Sequence, residues 1–376
     1  MEMDAIARLA ARDATLFVDP GIAAERLGWV GLPAAASETA ADFMAIGDSA
    51  AAAGMTDVVL LGMGGSSLAP LVLSRALPRT AGHPVLHVLD TTSPQAVGGL
   101  LDSLDPASTL VVVSSKSGTS IEPLSLHGIF RSWAVEALGA TAPEHFIAIT
   151  DPGTPLDELS VREFGITVHA PSDVGGRYAA LTPFATFPAA LIGVDVERLA
   201  TVAAELEDAC RTAGDDNPAL ALASWMADAY AAGRDKLTIV CSPGLAPFGL
   251  WVEQLVAEST GKGGRGILPV LETYPGLPEA HGADRMTFML RETDDGPLAG
   301  LAARLPEEEP VFEVVVDDAY ALGAEFVHWE WLSRSSLRWP ASSASISPTS
   351  RAPRPRRVPS SRGRKRRRIA PSSPRA

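Results

Sequence analysis

The sequence predicts an α/β protein of two lobes, each a doubly wound parallel sheet in a three-layer αβα arrangement, followed by a disordered basic tail. Three observations carry this. Short apolar runs such as Val58-Val59-Leu60-Leu61 and Leu110-Val111-Val112-Val113 alternate with helix-length segments, as strands buried on both faces do. Small-residue loops follow those runs, where a parallel sheet places its ligand loops. From Ser333 onward Ser, Pro and Arg dominate without apolar periodicity, so nothing there can build a core.

Taken in order, residues 1–50 are Ala-rich at helical spacing and form a helical lead-in, punctuated by a turn at Asp19-Pro20-Gly21. The first lobe, 51–195, holds strands at 57–61, 85–89, 109–113, 146–150 and 166–169, with helices through 68–75, after Ser93 and through 122–134. A helical stretch over 196–232 opens the second lobe, 196–332. There strands at 237–241, 267–270, 286–291 and 311–316 accompany helices at 247–258 and 320–332. The tail spans 333–376.

A chain of 376 residues with 46% hydrophobic and 20% charged residues has the length for two to three domains and the composition of a globular enzyme. No run reaches the roughly 18 apolar residues of a membrane span. The start, with Glu2 and Asp4 beside Met1, lacks the basic and apolar character of a secretory signal, so a cytoplasmic protein is expected. Cys210 and Cys241 lie in apolar or helical surroundings and read as buried thiols, not as a disulfide or a metal site.

Net charge conceals a split. Residues 334–376 hold 13 Arg or Lys and no acid, which leaves 18 basic against 45 acidic residues in the body, a balance of −27. Such a body repels nucleic acid. The run 363–368 is basic but carries no interleaved aromatics, so it reads as an unstructured tail.

Four segments carry chemistry. Gly62-Met63-Gly64-Gly65-Ser66-Ser67 closes one strand, and its Gly64, Gly65 and Ser66 let backbone approach a ligand. Ser115, Ser117, Thr119 and Ser120 bring four hydroxyls to an expected helix N-terminus, which favours an anion and exceeds what one cap needs. The spacing from Thr119 to Glu122 predicts a capping box, a structural role. Val174-Gly175-Gly176-Arg177-Tyr178 supplies Arg177, charged at any working pH. Glu258-Ser259-Thr260-Gly261-Lys262 follows an apolar helix and offers Glu258 as a base, with Lys262 beside it. His281 is a further candidate proton carrier. One carboxylate, one arginine and two anion loops point to sugar-phosphate chemistry, with no metal and no cofactor required.

With these segments in that order, residues 10–332 resemble the phosphoglucose isomerase family, built from two sugar-isomerase lobes, and in particular the isomerase half of transaldolase–isomerase fusions. The resemblance implies that the Ser115–Ser120 loop binds the substrate phosphate, that Arg177 stabilises an enediolate and that Glu258 is the base. It implies glucose-6-phosphate isomerase activity and a homodimer. The family's Asn-Pro-Phe-Asp-Gln-Pro segment and its later ring-opening lysine have no counterpart, since the sole lysine after Lys262 is Lys365, so an incomplete second lobe is expected. His281 lacks the family's Gly-Gln-His setting. Two other readings stay open: a sugar-phosphate-binding protein or inactive remnant without catalysis, and a dual phosphoglucose/phosphomannose isomerase.

Overall fold

The computed structural model describes residues 2–335, except 18, 213, 215, 262–264, 273–281 and 303, together with 356–358. A lead-in of α1 (Glu2–Ala10), α2 (Pro20–Ala24) and α3 (Leu32–Ala52) precedes the first sheet. The turn expected at Asp19-Pro20-Gly21 is instead the start of α2: Asp19 accepts the Ile22 N–H at 3.1 Å and Pro20 takes the first helical position, where its missing N–H costs nothing.

The first sheet alternates β1 (Asp57–Gly62), α4 (Leu68–Ala76), β2 (Val85–Leu89), α5 (Pro94–Leu101), β3 (Thr109–Ser114), α6 (Ile121–Leu138), β4 (Phe146–Thr150), α7 (Pro155–Glu163) and β5 (Ile166–His169). All its pairings are parallel, in the order β2-β1-β3-β4-β5. Successive side chains alternate between faces. Val58, Leu60 and Val112 pack with α3 and with α8 (Pro183–Leu191), while Val59, Leu61, Val111 and Val113 pack with Val97 of α5 and Leu126 and Phe130 of α6.

Helices α9 (Val196–Arg211) and α10 (Pro218–Ala231) follow. The single helical stretch expected over 196–232 is therefore two helices. Asn217 separates them, donating to the carbonyls of Cys210 at 2.6 Å and Thr212 at 2.8 Å while its own oxygen accepts the Leu220 N–H at 3.1 Å. Then come β6 (Lys236–Cys241), α11 (Phe248–Thr260), β7 (Leu268–Leu271), β8 (Arg285–Glu292), α12 (Gly296–Ala302), β9 (Val311–Val316) and α13 (Leu322–Ser335). Strands β7-β6-β8-β9 are parallel and repeat the first sheet's order, and β10 (Arg356–Val358) lies parallel beside β9.

The tail thus begins later than expected. Helix α13 runs on through 333–335, and Arg356–Val358 takes up the open backbone edge of β9. The rest of the tail lies outside the described residues. Both cysteines are buried, and burial pushes the Cys241 thiol up to about 12.

Residues 320–332 are buried along their whole length, so α13 is central, packed against α9, α10 and α11. Its polar groups meet inside. His328 bonds Glu325 at 3.1 Å and the Pro218 carbonyl at 3.0 Å. Burial, with the Glu207 carboxylate adding to it, holds Glu330 well above the usual carboxylate range. A carboxyl raised on folding stays protonated in the native state where the unfolded chain ionises, so its stabilising contribution is full at acid pH and is lost as pH rises past the ordinary carboxylate value. Glu330→Gln is therefore expected to raise the thermal midpoint at pH 8 and to converge with the wild type near the ordinary carboxylate pKa, as thermal scans across pH will read.

Candidate active site

The strand order places the switch point of the first sheet between β1 and β3, where crossovers depart in opposite directions and leave a crevice at the carboxyl ends. Both small-residue loops leave from there. Gly64, Gly65 and Ser66 form a tight 3-10 turn, with the Gly64 carbonyl accepting the Ser67 hydroxyl at 3.1 Å. The Ser66 carbonyl accepts the Ser114 hydroxyl at 3.1 Å, which ties the turn to the end of β3. At Gly65 the backbone of another segment comes so close that a Cβ would stand 2.1 Å from the Gly176 carbonyl oxygen.

The second loop folds over β4. Ser115 donates its N–H to Ile149 O at 3.0 Å, and its buried hydroxyl has no partner among the described residues. The Ser117 and Thr119 hydroxyls bond each other at 2.9 Å. Gly118 turns the chain at φ +63°, against Thr154, where a Cβ would lie 2.7 Å away. The expected capping box does not form. Ser120, not Thr119, is the N-cap residue, and its side chain makes no cap bond, while the Thr119 hydroxyl is engaged with Ser117. Helix α6, 18 residues long, therefore presents N–H donors and the positive end of its dipole to the crevice. Lys116 turns away from it, to Asp151 at 2.5 Å. Burial raises the Asp151 carboxyl, while the Lys116 ammonium pulls it down.

The acid arrives from the second lobe. Phe248, Trp251, Val252, Leu255 and Val256 bury one face of α11, which leaves Gln254 and Glu258, one turn apart, along its flank. Glu258 Oε1 accepts from Gln254 Nε2 at 2.9 Å, and Oε2 accepts from Arg177 Nη1 at 3.2 Å. Arg177 Nε also donates to Ser259 Oγ at 2.9 Å, and its guanidinium carbon lies 5.2 Å from the centre of the Tyr178 ring. Tyr178 is itself buried and stacked on Trp29, with ring centres 5.6 Å apart. Gln254 closes the circuit, its amide nitrogen 2.9 Å from where a Cβ on Gly64 would stand.

Arg177 and Glu258 could be a surface ion pair, worth about 0–1 kcal/mol. The Glu258 side chain is 47% exposed and Arg177 20%, so the pair contributes little to stability and is easily exchanged for a ligand. The structure thus brings together Gly64, Gly65, Ser66, Arg177 and Glu258, with the loop of Ser115, Ser117, Thr119 and Ser120 joined through Ser114. Lys262 and His281 lie outside the described residues. Sequence reasoning missed Gln254, whose position four residues before Glu258 on a helix was a usable signal, and Asp151, for which only packing provides one; Ser259 lay inside the Glu258–Lys262 segment but its bond to Arg177 is decided by packing.

The family model for phosphoglucose isomerase matches residues 41–266, more than half of the chain. A glucose-6-phosphate isomerase of Rubrobacter xylanophilus is 33% identical over 273 residues, which cover 70% of this chain and 62% of that one. The chain thus spans somewhat less than two thirds of that relative's length. A hypothetical protein of Thermus thermophilus shares the fold at a TM-score of 0.76 and 24% identity, covering 89% of each chain. A glucose-6-phosphate isomerase of Chlamydia trachomatis superposes with a TM-score of 0.65 at 20% identity, over 80% of this chain and 68% of that one. Among the described residues no helix is long and apolar enough to cross a membrane. With the family match spanning both loops, Arg177 and Glu258, the chain belongs to the phosphoglucose isomerase family.

Proposed function

We propose that the chain interconverts glucose 6-phosphate and fructose 6-phosphate through a cis-enediol, with Glu258 as the proton-transferring base. One observation carries the reading: a half-exposed carboxylate paired with Arg177 stands beside the Gly64–Ser66 turn, which Ser114 ties to the hydroxyl-rich loop at a helix N-terminus. Ser115, Ser117, Thr119, Ser120 and the first N–H groups of α6 hold the phosphate. Glu258 removes the C2 proton of the open-chain sugar and returns it to C1, the O2 hydroxyl proton passes to O1 within the enediol, and Arg177 releases the carboxylate and takes up the enediolate charge. That chemistry is complete with a carboxylate and a guanidinium, so no cofactor is invoked. His281, which lacks the family's Gly-Gln-His setting, is the best available candidate for ring opening, and a homodimer is implied by the family resemblance.

The test is a coupled assay of fructose 6-phosphate conversion on the purified chain, repeated in deuterium oxide. Turnover with solvent deuterium in the product supports the reading, and a folded chain without turnover refutes it. Mannose 6-phosphate in the same assay separates a dual isomerase. Arg177→Lys keeps the charge but loses the fork that reaches Ser259 and Glu258 together, so kcat is expected to fall roughly 10- to 100-fold with KM little changed.

A further inference from the structure

The one cation in the serine loop is turned away from the crevice. Lys116 stands between Ser115 and Ser117, yet its ammonium donates to Asp151 Oδ2 at 2.5 Å, to the Ser172 carbonyl at 3.2 Å and to the Pro171 carbonyl at 3.5 Å. An ammonium has three donors, and all three are taken. Moving it onto a bound phosphate would strip Asp151, whose Oδ1 is already buried without a partner among the described residues, of its counter-charge.

The other end of this tether matters more. The Ser172 carbonyl also accepts from Arg26 Nη1 at 3.1 Å, the Asp173 carbonyl accepts the Gly28 N–H at 3.0 Å, and Val174 bridges Leu27. Residues 171–174 are thus clamped between the lead-in and Lys116, and they run directly into Gly175-Gly176-Arg177. On its near side the Lys116 carbonyl accepts the Asp151 N–H at 3.3 Å, which lays the serine loop along the end of β4.

We propose that Lys116 is a positioning residue: its side chain sets the separation between the serine loop and Arg177 and does not itself bind the phosphate. This rests on the sugar-phosphate reading above. A ligand that bridges both groups needs that separation held, because a displacement of about 1 Å costs catalysis up to about 100-fold. A free phosphate ion, which touches the serine loop alone, does not need it.

Calorimetric titration of the full chain with inorganic phosphate and with 6-phosphogluconate, an anion at both ends, tests this beside steady-state kinetics. In Lys116→Met the affinity for inorganic phosphate is expected to stay within about three-fold, while that for 6-phosphogluconate and kcat both fall about ten-fold or more. Lys116→Arg, which still reaches Asp151, recovers most of both. A loss confined to phosphate affinity and KM, with kcat unchanged, overturns the proposal by placing the ammonium on the phosphate. Unchanged values for both ligands overturn it as well. Should Lys116→Met lose its circular-dichroism signature, Asp151→Asn is judged by the same criteria. A wild-type chain that binds neither ligand refutes the sugar-phosphate reading and this inference with it, and is recognised before any substitution is made.

Discussion

Glu258→Gln is expected to lower kcat for fructose 6-phosphate by about 10²–10⁴-fold, the range a positioned acid–base group contributes. The amide is isosteric but has no basic lone pair of carboxylate strength. Its effect on binding should be small, because no phosphate contact passes through it. One adjustment is foreseeable: the carboxylate accepts from Gln254 and Arg177 on separate oxygens, and an amide has one acceptor for the two donors. Arg177 is thereby loosened but keeps its bond to Ser259. Kinetics beside isothermal titration with 6-phosphogluconate separate the two effects. Turnover near the wild-type rate would remove Glu258 as the base.

Gly65→Ala is expected to cost about 100-fold in kcat/KM without any chemical group being lost. Cβ atoms essentially never come within 3.0 Å of such a neighbour, and here the added carbon would begin 2.1 Å from the Gly176 oxygen. The β1 loop and the arginine segment would have to part by about 1 Å, a displacement sufficient for that loss. Neither side can relieve the clash by rotating a side chain, since the obstructing atom is backbone. Overpacking of this kind also costs stability, typically about 1–3 kcal/mol. Kinetics and a thermal scan on the same preparation read both, and a variant with wild-type kcat/KM would show that the two loops move freely during the reaction.

Much of the fold was legible locally. Strands β2, β4, β5 and β9 begin and end where expected; for β4 and β9 this is because a strand covered on both faces is apolar at most of its positions, while the edge strands β2 and β5 are partly exposed and are marked by their β-branched and apolar residues between turn signals. The break at Asn217 was legible in Gly214-Asp215-Asp216-Asn217-Pro218, a stop-and-start signal that the reading of one helix over 196–232 passed over, whereas the carbonyls that Asn217 reaches are in place only once α9 has formed. The capping box failed for the opposite reason. Thr119 and Glu122 have the right spacing, but Ser117 competes for the same hydroxyl.

The sequence by itself determined the alternation of strands and helices, the two loops that end strands at the crevice, and the residue types the chemistry needs. Only the tertiary structure decided which of them meet. Arg177 and Glu258 are 81 residues apart, and what joins them is the packing of α11 against the core with one face left over. Lys116 was as good a phosphate ligand as its neighbours until Asp151, 35 residues on, took its charge. Periodicity reports what each residue does to its own element. A charge is claimed by whichever partner the completed core brings within reach.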